Sequence, residues 1–489
     1  MVLKPLPYDD SSAMSIEEYS KKLIGKSFAQ ILDEEFSNDE EMAADLKRYY
    51  NNPRSKGGLG NLVEKYFFYY EPNSNPEPDF PKAGVELKVT PYERLKSKGV
   101  RAGERLVIGM IPNDKPIESD FEKSHVLDKL KLVLLVLYLR EKGNDRIDFQ
   151  INYSKLFSIL GEACSADFEI IKSDYKIISE KIIAGKAHEL SESDTMYLGA
   201  CTKGATANRS LKPQYYNKNV AAKRRAFSLK QGYMTFILNK YIFNDVDTYK
   251  PIVKEKDVTK EQFEKIVLSK IYKYKGWTEE ELRKEFGMEE SIAYQIFSNL
   301  SLAMLGAKSN KAEEFEKSDT IVKAIRVEKN GNIKENISFP PLKFLEFVKE
   351  EWEESEVYNY FTKTRFLFVI YQSNGDEYKL EKAFFWNMSM SDLEGIGKEE
   401  WLENQKIIRE GVELTPKGNR VTNNLPKSSE TEIFHLRPHA NKSVYLINGK
   451  KYGNGFLEKD SDLLPNGDMM VSQSFWLNNK YVEKIIEQF

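Results

Sequence analysis

Between residues 16 and 49 the apolar positions fall at helical spacing, with the acidic run DEEFSNDEE in their midst. A Pro/Gly loop, NNPRSKGGLG (51–60), then opens into NLVEKYFFYY (61–70), whose apolar residues again recur three and four apart. After that the period shortens. GVELKVT (84–90), ERLVIGMI (104–111) and LKLVLLVLYL (130–139) predict three strands, the last of them buried. DFEIIKSDYKIISEKIIAG (167–185) predicts a helix, and a basic, loop-like zone occupies 200–232. Residues 244–262 are charged and lack a long apolar run, which sets a domain boundary after residue 250. The second half starts with helices, TEEELRKEFG (278–287) among them.

The second half also repeats the first faintly. EEFEKSDTIVKAIRV (313–327) follows PDFPKAGVELKVTPY (78–92), RFLFVIY (365–371) echoes KLVLLVLY (131–138), and SFWLNNKYVEKII (474–486) follows AFSLKQGYMTFIL (226–238). Three echoes in the same order predict a duplicated domain. The expectation is therefore an α/β protein of two domains, 1–250 and 251–489, each a mixed sheet flanked by helices. In this pairing Asp79 faces Glu314, Glu86 faces Ile321 and Lys88 faces Lys323. An isoleucine cannot bind a cation, so the second copy is expected to be inert.

Composition narrows the chemistry. Two cysteines, Cys164 and Cys201, leave no room for a disulfide framework or a cysteine zinc site, and four histidines argue against paired-histidine zinc hydrolases. A net charge of −3 does not mark a polyanion binder, but 73 Lys and Arg residues allow basic patches on one face. The N-terminus MVLKPLPYDD lacks the layout of a signal peptide, and the ten-residue run at 130–139 is too short to span a bilayer. A cytoplasmic protein without membrane segments is expected.

PDFPKAGVELKVT (78–90) carries the candidate chemistry. In a strand Glu86 and Lys88 share one face while Val85, Leu87 and Val89 take the other. Asp79 and Glu86 offer hard oxygen ligands for Mg²⁺, which would polarise a phosphate and lower the pKa of a bound water. Lys88 could orient that water. KRR (223–225) with Lys230 and Tyr233 interleaves positive charge and aromatics, a pattern suited to nucleic acid.

KGGLGNLVEKY (56–66), PDFPKAGVELKVTP (78–91) and SHVLDKLKLVLLV (124–136), in that order, resemble the mismatch-repair nicking endonuclease MutH and the Sau-type restriction endonucleases that cut at GATC. The resemblance implies a restriction-endonuclease fold, Mg²⁺ as cofactor and duplex DNA as partner. It implies Asp79, Glu86 and Lys88 as the catalytic set, with Glu64 as a supporting carboxylate, and Lys56 and Lys129 as further members. KAHELSESDTMYLGACTKGA (186–205) and KRRAFSLKQGYM (223–234) resemble the family's DNA-reading segments, which implies DNA contacts at Lys203, Arg224, Arg225, Ser228 and Lys230. The resemblance departs from MutH at Ser228, where MutH has a tyrosine tied to sensing adenine methylation, so the methylation response stays open.

EEWEESE (350–356), LRPHAN (436–441) and SFWLNN (474–479) resemble the C-terminal half of the Sau-type enzymes, a half that MutH lacks. This implies a restriction enzyme whose second domain binds another DNA site, with Arg437 and His439 as its contact candidates. His439, in the place of Lys203, is either a base reader or a structural histidine. A twofold-symmetric site cut on both strands implies a dimer on DNA and allows a monomer when free. Two alternatives stand beside this reading: a partner-dependent mismatch-repair nickase, and a DNA-binding protein that no longer cuts.

Overall fold

The computed structural model describes residues 4–489 except 54–57, 74, 96–98, 142, 162–163, 204–210, 244–250, 254–257, 294, 308–311, 334–336 and 419. The described residues form two compact units. The first takes residues 4–266 and 312–320, the second 267–307 and 321–489. The expected boundary after residue 250 thus differs from the packing, because a later segment returns to the first unit. Its Glu314 carboxylate accepts the N–H groups of Ile252 and Val253, both at 2.9 Å, and its Lys317 lies between Asp167 and Glu313, each at 2.7 Å. Glu314, paired with Asp79 by sequence, is therefore occupied by backbone.

The first unit opens with helices α1 (Ala13–Ser20), α2 (Phe28–Glu35), α3 (Glu40–Asn51) and α4 (Gly58–Tyr66). Strands β1 (Glu86–Arg94), β2 (Val100–Ala102), β3 (Leu106–Met110), β4 (Val133–Leu139) and β5 (Ile151–Phe157) follow, with α5 (His125–Leu130) before β4 and α6 (Ser165–Ile183) after β5. Strands β6 (Leu198–Thr202), β7 (Leu211–Pro213), β8 (Ala221–Lys223) and β9 (Arg225–Leu229) and a helix Gln231–Ile237 complete it. The predicted loop zone at 200–232 therefore holds strands.

The main sheet has the order β2-β1-β4-β5, with β1 parallel to β4 and β4 antiparallel to β5. Every residue of β4 is buried, as its unbroken apolar run requires. Leu87 of β1 and Leu134 and Val136 of β4 pack into one core with Phe28, Leu62 and Val63 of the helices. Alternation along β1 then leaves Glu86 and Lys88 on the other face. A smaller sheet, β3-β9-β6, stands beside it.

The second unit repeats this plan. Its strands β10 (Thr320–Val327), β12 (Arg365–Ser373) and β13 (Tyr378–Trp386) form one sheet; β11 (Ser338–Pro341) joins strands Phe434–Pro438 and Gln473–Leu477 in another. Its core gathers Trp401, Phe361, Phe366, Phe434 and Phe475. The repetition extends to single hydrogen bonds. Buried Asp174 on α6 accepts the N–H groups of Met196, Tyr197 and Leu198 (2.9, 2.6 and 3.0 Å) at the start of β6. Buried Glu400 accepts those of Glu432, Ile433 and Phe434 at the equivalent place. The N–H of Lys203 donates to Arg224 O as that of His439 donates to Ser472 O, both at 2.8 Å. The side chain of Lys230 donates to Thr195 O as that of Asn478 donates to Thr431 O. Among the described residues no helix is long and apolar enough to cross a membrane.

Asp174→Ala leaves three buried N–H groups without an acceptor and should destabilise the first unit by about 3 kcal/mol or more. Urea unfolding followed by hydrogen exchange at 196–198 would read it; wild-type protection at those amides would refute the clamp.

Candidate active site

The turn between Asp79 and Glu86 builds the site. Phe80 and Val85 exchange two backbone hydrogen bonds (2.9 and 3.2 Å), and Gly84 supplies the left-handed residue the tight turn needs, at φ +66°. The chain therefore doubles back, and Asp79 Oδ2 accepts the N–H of Leu87 at 2.9 Å. Glu86 begins β1, fixed by its N–H to Leu132 O at 3.0 Å. Two carboxylates seven residues apart are thus brought together at the mouth of the parallel β1–β4 pair.

Glu86 is 1% exposed, and both of its oxygens are engaged by cations. Lys88 Nζ lies 2.6 Å from Oε1, and Lys129 Nζ lies 3.0 and 3.1 Å from Oε1 and Oε2. Lys129 comes from α5, whose first turn Ser124 caps by accepting the N–H of Leu127. Glu64, on α4, reaches the same cleft, which has a volume of about 1290 Å³ and also holds Asp79, Glu86, Lys88 and Lys129.

Burial and mutual repulsion raise the acids. Glu64 is pushed up to about 7 by loss of water and then by Asp79, with Lys88 opposing. Asp79 is raised to about 6 by burial and by Glu86, again against Lys88. The Tyr70 phenol is driven well above its ordinary value by burial and the charges of Asp79, Glu64 and Glu86, and its hydroxyl has no hydrogen-bond partner among the described residues. Among these residues no three His, Cys, Asp or Glu side chains form a ready cage for an ion. The pair Asp79 and Glu86 nonetheless fits a hard divalent cation of the kind that keeps several waters and takes its remaining ligands from a substrate phosphate. Such a cation would relieve the repulsion that raises these acids.

The candidate DNA residues divide. Arg224 lines the cleft and is exposed, and Lys203 is exposed at the end of β6. Three others are buried in this conformation. Arg225 is buried and donates to Ala200 O at 2.9 Å, Ser228 is fully buried, and Lys230 is buried on Thr195 O at 2.6 Å. All five residues of β9 are buried, so neither face of that strand meets solvent at Arg225 or Ser228, and Lys230 follows it as the buried cap of the helix Gln231–Ile237. Lys56 lies outside the described residues. In the second unit Arg437 and His439 are exposed and both approach the ring of Trp476, at 5.1 and 5.7 Å. Sequence reasoning missed His125, Asn113, Lys212, Tyr215 and Lys218, all of which line the cleft.

The family profile described as DNA mismatch repair enzyme MutH matches residues 68–174. The type II restriction enzyme Sau3AI of Staphylococcus aureus is 37% identical over 463 residues, which covers 89% of this chain and 93% of that enzyme. The chain belongs to the MutH/Sau-type restriction endonuclease family. Its enzyme class is that of a type II site-specific deoxyribonuclease, and enzymes of this family use divalent metal ions. The DNA mismatch repair proteins MutH of Vibrio campbellii and of Escherichia coli strain SMS-3-5 are 26% and 25% identical over 243 and 192 residues. These matches cover 50% and 39% of this chain, and 98% and 80% of the two MutH proteins.

The raised acids make a stability prediction. A carboxyl raised in the folded state stabilises fully below its unfolded value near 4.5, and that contribution is lost as pH rises through about 7 for Glu64. Glu64→Gln should therefore stabilise the metal-free protein at pH 8, by on the order of 2 kcal/mol, and little at pH 4.5. Thermal melting in EDTA at the two pH values checks this; equal gains at both would contradict it.

Proposed function

We propose that the first unit hydrolyses duplex DNA at GATC with Mg²⁺, and that the second is a catalytically inert copy that binds another DNA site. The observation that carries the reading is the junction of Asp79, Glu86, Lys88 and Lys129 at the floor of one cleft. Asp79 and Glu86 would hold the ion, which when bound supplies positive charge against the phosphate and acidifies a water. Lys88 positions the attacking water by donating to it, and its charge offsets that developing on the phosphorus oxygens. Lys129 holds the Glu86 carboxylate in place, and Glu64 supports the site as a proton-holding neighbour of Asp79. Attack in line breaks the bond to the 3′ oxygen and leaves 5′-phosphate and 3′-hydroxyl ends. GATC as the site is supported by the resemblance of 186–205 and 223–234 to the family's reading segments.

The second unit supports its inert role residue by residue. Ile321 stands on β10 where Glu86 stands on β1, and counting from the capping serines Ser124 and Ser355 puts Tyr360 in the place of Lys129. Lys323 remains where Lys88 is, but burial alone pushes its ammonium down, with no carboxylate contributing. A positive charge without ligands for a cation suits phosphate contact rather than cleavage. The partner-dependent nickase shares this chemistry but lacks a second unit, and the 89% coverage by a restriction enzyme favours autonomous cutting.

Glu86→Ala should lower cleavage by about a thousandfold or more, in the range of removing a group essential to transition-state charge, while DNA still binds. Plasmid digestion with Mg²⁺ or EDTA, on methylated and unmethylated DNA, followed by sequencing of the ends, tests the reading. Ends away from GATC would discard the site assignment, and full activity of the variant would discard the centre. Because Asp79 must be ionised to hold a cation and its acid stands at about 6, Mg²⁺ affinity should fall roughly tenfold per pH unit below that value. Calorimetric Mg²⁺ titrations between pH 5 and 8 read this, and a flat profile would remove Asp79 from the ligand set.

A further inference from the structure

The connection of β7 to β8, residues 214–220, is tied down from three directions. Gln214 is buried: its Oε1 accepts the N–H of Ala187 at 2.9 Å, and its Nε2 donates to Val220 O at 2.7 Å and meets His188 Nδ1 at 3.1 Å. Asn217 Nδ2 donates to Gly185 O at 3.2 Å. Gly185, at φ +73°, is a close-approach glycine, since a Cβ there would come within 2.8 Å of Asn217 Cβ. The N–H of Tyr215 donates to Asn113 O at 2.7 Å.

Yet the side chain between these anchors is free to meet a ligand. Tyr215 is 48% exposed, and it stands on the wall of the cleft that has Glu86 and Lys88 at its floor. Lys212, Lys218 and Arg224 share that wall. A surface loop held by a buried glutamine and a backbone pin, with an aromatic ring beside Lys212, Lys218 and Arg224 on the cleft, has already lost the entropy that binding would otherwise cost. An aromatic ring can lie against the sugars and base edges of a duplex groove, and lysines beside it meet phosphates.

We propose that the 211–223 hairpin is a preformed DNA-contact element and that Tyr215 packs its ring against nucleotides of the duplex in the cleft. The proposal rests on the nuclease reading above. Gln214 acts as a positioning residue, because its buried side-chain amide is spent on Ala187, Val220 and His188.

The test measures KM and kcat of the full chain on a short duplex carrying the cleavage site, with 2-aminopurine placed at successive positions. Tyr215→Ala should raise KM roughly tenfold, equivalent to about 1.4 kcal/mol of lost contact, with kcat within about twofold because ground and transition states lose it alike. Tyr215→Phe keeps the ring and should stay within about twofold of wild type in both. The 2-aminopurine signal at one position should change on binding wild type and not Tyr215→Ala, a difference that a purely structural tyrosine would not produce. Gln214→Ala should raise KM and open 211–223 to limited proteolysis. A KM for Tyr215→Ala within twofold of wild type overturns the proposal, as does a Tyr215→Phe as impaired as the alanine variant. A wild-type chain that neither binds nor cuts the duplex overturns the nuclease reading, and the hairpin's role with it.

Discussion

A carboxylate with 1% exposure needs partners for its oxygens, and Glu86 has two. Lys88 reaches it from two residues along the same strand, and Lys129 from a helix 43 residues away in sequence. Holding those three groups together requires the parallel pairing of β1 with β4, the capped start of α5 that precedes β4, and the turn that returns Asp79 to Leu87. The rest of the first unit can be read as support for that arrangement. The helices α1–α4 cover the opposite face of the sheet, and the β3-β9-β6 sheet lies beside it.

The same physics explains why an acid cluster rather than a neutral one occupies the cleft. Glu64 is raised by burial and by Asp79, and Asp79 by burial and by Glu86, so the metal-free site is strained electrostatically. The two lysines offset part of this but leave both acids above their ordinary values. A site in that condition favours cation binding, because a doubly charged ion relieves what the lysines do not. The second unit, with isoleucine and tyrosine at the matching positions, carries no such strain.

Much of this was legible in the sequence where the signal was local. The period-two stretch 84–90 placed Glu86 and Lys88 on one face, and the apolar run at 130–139 marked the buried strand beside it. The faint repeat was legible too, and equivalent hydrogen bonds at Asp174 and Glu400 bear it out. Lys129 could be linked to Glu86 through resemblance alone, since nothing local joins residues so far apart. The burial of Arg225 and Ser228 was not legible, because a strand buried on both faces shows no alternation to separate its inner positions from its outer ones, and that of Lys230 depends on Thr195 O, distant in sequence. Tyr215 gave no signal, because its exposure is set by anchors at Asn113, Gly185 and Ala187, distant in sequence.

The return of residues 312–320 to the first unit has a consequence for how the chain is made. A ribosome releases the N-terminal segments first, and domains generally fold as they emerge. Here Asp167 and the Ile252–Val253 backbone stay without these partners until Lys317 and Glu314 have left the exit tunnel. By then the opening helices of the second unit have already been synthesised. Completion of the first unit is therefore timed to synthesis of residues 312–320, and a nascent chain arrested near residue 250 lacks the side chains that fill these bonds.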